Sequence, residues 1–102
     1  MIYQKQRIMN HITQNKSLLV CLGGKKFAIC ENFKQASEAI SKLIAYENLG
    51  ATAFYKKKNI GIILHPEKGP FAYVSYNGKV WKGIDIISNN NEQITNLSSC
   101  GY

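Results

Sequence analysis

Lysines and tyrosines gather where this chain must reverse direction. The densest run is Tyr55-Lys56-Lys57-Lys58-Asn59. Lys25-Lys26 follows Gly23-Gly24, and Tyr76-Asn77-Gly78-Lys79 leads into Trp81-Lys82. Ammonium groups beside aromatic rings can neutralise phosphates and stack bases. The overall charge agrees: thirteen Lys and Arg stand against six acidic residues, a net charge of +7. An excess of that size on a small domain draws polyanions by Coulomb attraction. The opposing explanation is that lysines at turns and edges keep a sheet soluble.

The type of cation limits the reading. Arg7 is the only arginine, so bidentate recognition of guanine has almost nothing to build on. Sequence-specific DNA recognition is therefore not expected. Enzyme constellations are sparse. His11 and His65 are the only histidines, and nothing near Cys21 or Cys30 sets up a Cys–His pair with His65. There is no Cys-x-x-Cys and no His-x-x-x-His, so neither a metal nor another cofactor is expected. Gly23-Gly24-Lys25-Lys26 lacks the glycine spacing, the Ser or Thr and the following helix of a phosphate loop, and reads as a turn. The expectation is a non-enzymatic protein.

At 102 residues, 45% of them hydrophobic, the chain has the size of one domain with a real core. No segment reaches the roughly 18 apolar residues of a membrane span, and the N-terminus lacks the apolar stretch of a signal peptide. Three cysteines, none close to another in sequence, fit a reducing cytoplasmic setting.

The elements that must position the lysines follow from periodicity. Residues 2–12 space Ile2, Ile8, Met9 and Ile12 as a short amphipathic helix or arm. Residues 17–31 read as a hairpin about a two-residue Gly23-Gly24 turn. In that register Val20 faces Phe27 and Leu18 faces Ile29, with Leu18, Val20, Leu22, Phe27 and Ile29 as a core stripe. Cys21 then lies opposite Lys26, and Cys30 opposite Ser17, too far apart to bridge.

Residues 33–48 carry the helical signal. Asn32 is a good N-cap with Gln35 three residues on. Phe33, Ala36, Ile40, Leu43 and Ile44 share one face, and Gly50 supplies the left-handed end. From Ala51 the apolar period becomes two, so Ala51–Lys56 and Ile60–Leu64 read as strands around Lys57-Lys58-Asn59. His65–Pro70 reads as a loop. Phe71–Tyr76 and Lys79–Ile84 form a hairpin at Asn77-Gly78. That register pairs Val74 with Trp81 and Tyr73 with Lys82, leaving Ala72, Val74 and Trp81 on one face. The fold expected is α+β: a single antiparallel sheet of about five strands in the order ββαβββ, one main helix packed on one face, and a short N-terminal helix. Residues 1–87 form the domain and 88–102 a polar, flexible tail anchored by Ile94 and Leu97.

One helix covers one sheet face, leaving the other to water, to the N-terminal segment or tail, to a second copy of the chain, or to a partner. The candidate binding residues are Lys25, Lys26, Tyr55, Lys56, Lys57, Lys58, Tyr73, Tyr76, Lys79, Trp81 and Lys82. The element order over 17–84, with helix 32–48 and the Ala72-Tyr73, Gly78-Lys79 and Trp81 pattern of the last hairpin, resembles a group of small phage-encoded anti-CRISPR proteins. The chain departs from that pattern in its longer N-terminal arm, its Pro-bounded loop and its Asn-rich tail. The resemblance implies a non-enzymatic inhibitor of host defence whose lysines and aromatics occupy the nucleic-acid path of a CRISPR effector complex. The partner expected is thus a nucleic acid or nucleoprotein complex. The alternative is a protein-interaction module or homodimer that uses the open sheet face, with the charge incidental.

Overall fold

The computed structural model describes residues 17–84 and 91–101. The expected helix over 2–12 lies outside these residues. The elements are β1 (Leu18–Gly23), β2 (Lys26–Cys30), α1 (Phe33–Glu47), α2 (Ala51–Lys56), β3 (Ile62–His65), β4 (Gly69–Val74), β5 (Val80–Lys82) and β6 (Gln93–Ile94). The strands form one antiparallel sheet in the order β2-β1-β3-β4-β5-β6. The α+β class and the single main helix are as the sequence implied; the sheet has six strands rather than five.

Helix α1 starts where its sequence requires. The Asn32 side chain accepts from the Gln35 amide at 2.9 Å, and the Gln35 side chain accepts from Glu31 N–H. The C-terminal exposed carbonyls are closed by Asn48 in the left-handed region at φ 52, not by Gly50. Asn tolerates that region because its short polar side chain can bond locally. Gly50 instead caps α2 in an extended conformation. Phe33, Ala36 and Ile40 are buried against the sheet, with Leu43 and Ile44 at the margin. Each large apolar side chain so buried contributes roughly 1.5–3 kcal/mol.

Residues Ala51–Lys56 are a helix, where alternation suggested a strand. A strand would place Thr52, Phe54 and Lys56 on one face, an apolar stripe of a single residue. One helical turn sends only Phe54 inward, where it is fully buried. Its ring meets Tyr55 and Tyr76 edge-on at 4.9 and 5.6 Å. Two alanines favour that choice.

Both hairpins turn one residue away from the expected register. In β1–β2, Val20 pairs with Ala28 and Leu18 with Cys30; Gly23 pairs with Lys26 past a bulge, so Gly24 and Lys25 form the turn. Because side chains alternate with a period of two, this slip turns Phe27 and Ile29 off the core face, and they are 49% and 59% exposed. Cys21 lies opposite Phe27 rather than Lys26. In β4–β5, Val74 pairs with Val80 and Tyr73 with Trp81. The loop holds three residues, 76–78: Ser75 C=O accepts from Gly78 N–H, and Lys79 C=O from Ser75 N–H, both at 2.9 Å. Gly78, at φ 86, closes it as the left-handed residue. Val80, not Trp81, therefore joins Ala72 and Val74 in the core.

The helix-side core consists of Leu18, Val20, Cys30, Ile63, Ala72, Val74 and Val80 under Phe33, Ala36, Ile40 and Phe54. The expected loop His65–Pro70 is shorter, since Leu64 pairs with Pro70 and His65 with Gly69. Pro70 lies beside the β3–β4 register shift and beyond the last β4–β5 pair, where a missing N–H is tolerated. The shift between these pairs skips Phe71, whose ring lies 6.0 Å from that of Phe33 on the helix side. Residues 91–101 of the polar tail are built into the fold. β6 extends the sheet beside β5, and Leu97 and Ser99 carbonyls accept from the first helical amides of α1, Lys34 and Phe33.

This register separates two isoleucines of similar sequence context. Ile63→Ala, fully buried, should cost about 2–5 kcal/mol in urea unfolding. Ile29→Ala should cost under about 0.5–1 kcal/mol; equal losses would restore the register expected from the sequence.

Candidate functional site

Antiparallel pairing brings three lysine-bearing reversals to one end of the sheet. β1 ends there at Gly23, β3 begins there after Gly61, and β4 ends there at Val74. Main-chain bonds fasten the reversals together. Gly24 N–H donates to Lys58 C=O at 2.9 Å, linking the β1–β2 turn to the 57–61 loop. Gly61 donates to Cys21 C=O and accepts from Val74 N–H, each at 2.8 Å, linking that loop to β1 and β4. Gly23 is so close to the loop that a Cβ there would lie 3.7 Å from Lys57 Cδ.

Aromatics complete the joint. The Tyr55 hydroxyl accepts from Tyr76 N–H at 3.2 Å, and the Tyr76 hydroxyl donates to Leu49 C=O at 2.9 Å. The Ser37 hydroxyl donates to Gly78 C=O at 2.7 Å, tying the β4–β5 loop to α1. Lys25, Lys26, Lys56, Lys58 and Lys79 are exposed around this end. Lys57 is half-buried and its Nζ lies 3.2 Å from Glu47 Oε1. A concavity of about 340 Å³ opens between Tyr55, Lys56, Lys57 and Lys58, with Ile60, Ile62 and Ile84 as apolar lining. Cationic rims over an apolar floor suit an anionic, partly flat ligand such as a nucleotide chain.

The other sequence candidates are placed differently. Tyr73 is 6% exposed on the sheet face away from α1, and its hydroxyl accepts from Asn91 Nδ2 at 3.1 Å. Its neighbour Trp81 is half-buried and donates Nε1–H to Ser75 Oγ at 3.2 Å. Tyr76 packs on Phe54. All of these rings are buried or half-buried, which leaves Tyr55, 48% exposed although its hydroxyl also binds within the fold, as the candidate aromatic open to a ligand. Lys82 is away from the cluster, beside Ala72 on the helix side, 3.3 Å from Glu92 Oε2.

Lys82 also borders a second cavity of about 450 Å³, between Phe33, Phe71, Ile94, Asn96, Ser99 and Gly101. Sequence reasoning missed it because most of its wall, Ile94, Asn96, Ser99 and Gly101, comes from residues read as a loose tail. Ile84 was missed at the first concavity; no local pattern marks it.

Cysteine and histidine chemistry has little support here. Cys21 and Cys30 are buried and form no disulfide. Burial pushes the Cys30 thiol up from its ordinary value, and a protonated thiol is a poor nucleophile. His65 Nδ1 accepts from Glu67 and Lys68 N–H, closing the β3–β4 turn. Among the described residues no cluster of His, Cys, Asp or Glu could hold a metal, and no helix is long and apolar enough to cross a membrane. No protein-family model matches the chain, and no curated protein or solved structure matches it.

Gly61 is the joint through which this end is assembled. Its φ is +82, and a Cβ would collide with the Val74 carbonyl oxygen. Gly61→Ala should therefore destabilise the fold by about 2–4 kcal/mol in chemical unfolding. A loss below about 0.5 kcal/mol would mean the loop is not held against β4.

Proposed function

We propose that this chain is a small non-catalytic binding module that grips the phosphate backbone of a nucleic acid, bare or within a nucleoprotein complex. Lys25, Lys26, Lys56, Lys57, Lys58 and Lys79 supply the charge and Tyr55 the stacking ring. The observation that carries the reading is the Gly24–Lys58 main-chain bond, which holds two lysine turns together despite their mutual repulsion. Net charge +7 and near-absence of arginine favour backbone tracking over base reading. Tyr73, Tyr76, Trp81 and Lys82, grouped with the site on sequence grounds, are left out of it because Tyr73 is buried, Tyr76 and Trp81 are half-buried, and Lys82 lies away from the lysine turns beside Ala72.

An inhibitor of host defence is the most concrete version of this reading. The partner would then be the RNA-bearing path of a CRISPR effector, met in the cytoplasm. The competing reading is a protein-interaction module or homodimer, favoured by the exposure of Phe27 and Ile29.

Fluorescence anisotropy with a labelled single-stranded oligonucleotide tests the nucleic-acid reading. Affinity should fall log-linearly with salt, each phosphate contact adding about 0.7 to the slope. Lys56→Ala/Lys57→Ala/Lys58→Ala should lower that slope by roughly 2, while costing under about 1 kcal/mol of stability from the Lys57–Glu47 pair. Binding that ignores salt, or a triple variant that binds like the parent, would overturn it.

A further inference from the structure

The outer edge of β2 has a sequence that complements itself. Among the described residues β2 has a strand neighbour on one side only, β1. The direction of its free groups follows from β1. Cys21 C=O accepts from Gly61 on the β3 side, and main-chain groups along a strand point alternately to its two neighbours. Leu18 and Val20 therefore turn theirs toward β2, where they pair with Cys30 and Ala28. In β2 it follows that Phe27 and Ile29 direct their N–H and C=O off the sheet. The same two residues carry exposed large apolar side chains, 49% and 59%.

We propose that this edge pairs with the β2 edge of a second copy of the chain, antiparallel and with Ala28 on the two-fold axis. Three features select that register. Phe27 and Ile29 are the residues with outward main-chain groups, so pairing must join odd positions to odd positions. With Ala28 on the axis, Phe27 of each copy exchanges both bonds with Ile29 of the other, and their side chains meet on the face away from α1. The same register brings Lys25 of each copy, in the turn before β2, toward Glu31 of the other, just past the strand, at both ends of the pair. A shift by two residues in either direction breaks that charge match and sets Phe27 against itself or against Glu31. An isologous contact of this kind closes as a dimer and leaves β6 as the outer edge of each copy. Between Phe27 and Cys30 the edge has neither a proline nor a charged side chain, its one charge being Lys26 at the start of the strand.

The interface is one strand pair with four apolar side chains at its centre, well below the area of an obligate dimer. A dissociation constant on the order of 10–100 µM follows. The proposal does not depend on polyanion binding, because the contact centres on Phe27 and Ile29 of the β2 edge rather than on the lysine-bearing end; Lys25 and Lys26 border both.

Sedimentation equilibrium of the full chain, freed of nucleic acid, tests it at concentrations up to about 300 µM. A monomer–dimer equilibrium is expected. Ile29→Lys should weaken it at least about tenfold while circular dichroism and the unfolding midpoint stay those of a folded chain, since that side chain is exposed. Glu31→Lys should weaken it several-fold, and Lys25→Glu combined with Glu31→Lys should restore it. A chain that stays monomeric, a dimer indifferent to Ile29→Lys, or a Glu31→Lys loss that the charge exchange does not repair would each overturn the proposal. The last two would move the contact to another surface or register.

Discussion

Pairing of β1 with β3 is the constraint from which the rest of the molecule follows. These strands are separated in sequence by β2 and both helices, so loop-closure entropy opposes their meeting. They are joined through Val20–Ile63 and Leu19–Leu64. Val20 and Ile63 are fully buried under α1, and burial of that kind is what offsets the entropy. Once the pair forms, the 57–61 loop has nowhere to lie except against the β1–β2 turn. The lysines are then neighbours as a by-product of strand order. Exposed like charges about 10 Å apart repel by about 0.4 kcal/mol per pair in water. The Glu47–Lys57 ion pair and the Gly24–Lys58 bond oppose that repulsion. A bound polyanion would remove it altogether, which is the physical sense of placing lysines there.

Much of this was legible in the residues, and the failures share a cause. Helix α1 was readable because Asn32, Gln35 and the Phe33-Ala36-Ile40 spacing agree with one another. The two hairpins were readable from Gly23-Gly24 and Asn77-Gly78, but their registers were not. Each takes an irregularity: the bulge before Gly23, and the left-handed Gly78 that closes a three-residue loop. Glycine permits either geometry, so the choice falls to the core, which prefers Val80 to Trp81 and Cys30 to Ile29. The strand expected over Ala51–Lys56 failed for a related reason. A six-residue run holds too few apolar positions to separate periods, and burial of Phe54 alone decides it. β6 pairs through two residues and carries no pattern at all.

The candidate site narrows in a consistent way. The lysines at turns other than the half-buried Lys57 kept their exposure, whereas the aromatics beside them other than Tyr55 did not. Tyr76 and Phe54 brace α2 against the β4–β5 loop, and Tyr73 and Trp81 fill the second sheet face. An aromatic residue next to lysine in sequence says little about exposure, because neighbours along a strand point to opposite faces. The edge of β2 shows the converse. Phe27 and Ile29 look like core in sequence, and a slip of one residue makes them surface. The lysine-bearing end and the β2 edge are distinct surfaces, so a dimer would present two basic ends rather than hide them.

The central claim is that three reversals act as one phosphate-binding surface. Amide chemical-shift mapping during titration with a short single-stranded oligonucleotide tests it most directly. The account predicts shifts confined to residues 23–26, 55–61 and 76–79, moving together along one binding curve and vanishing at high salt. Shifts centred on β2, on the cavity beside Phe33 and Phe71, or on none of these residues would contradict it.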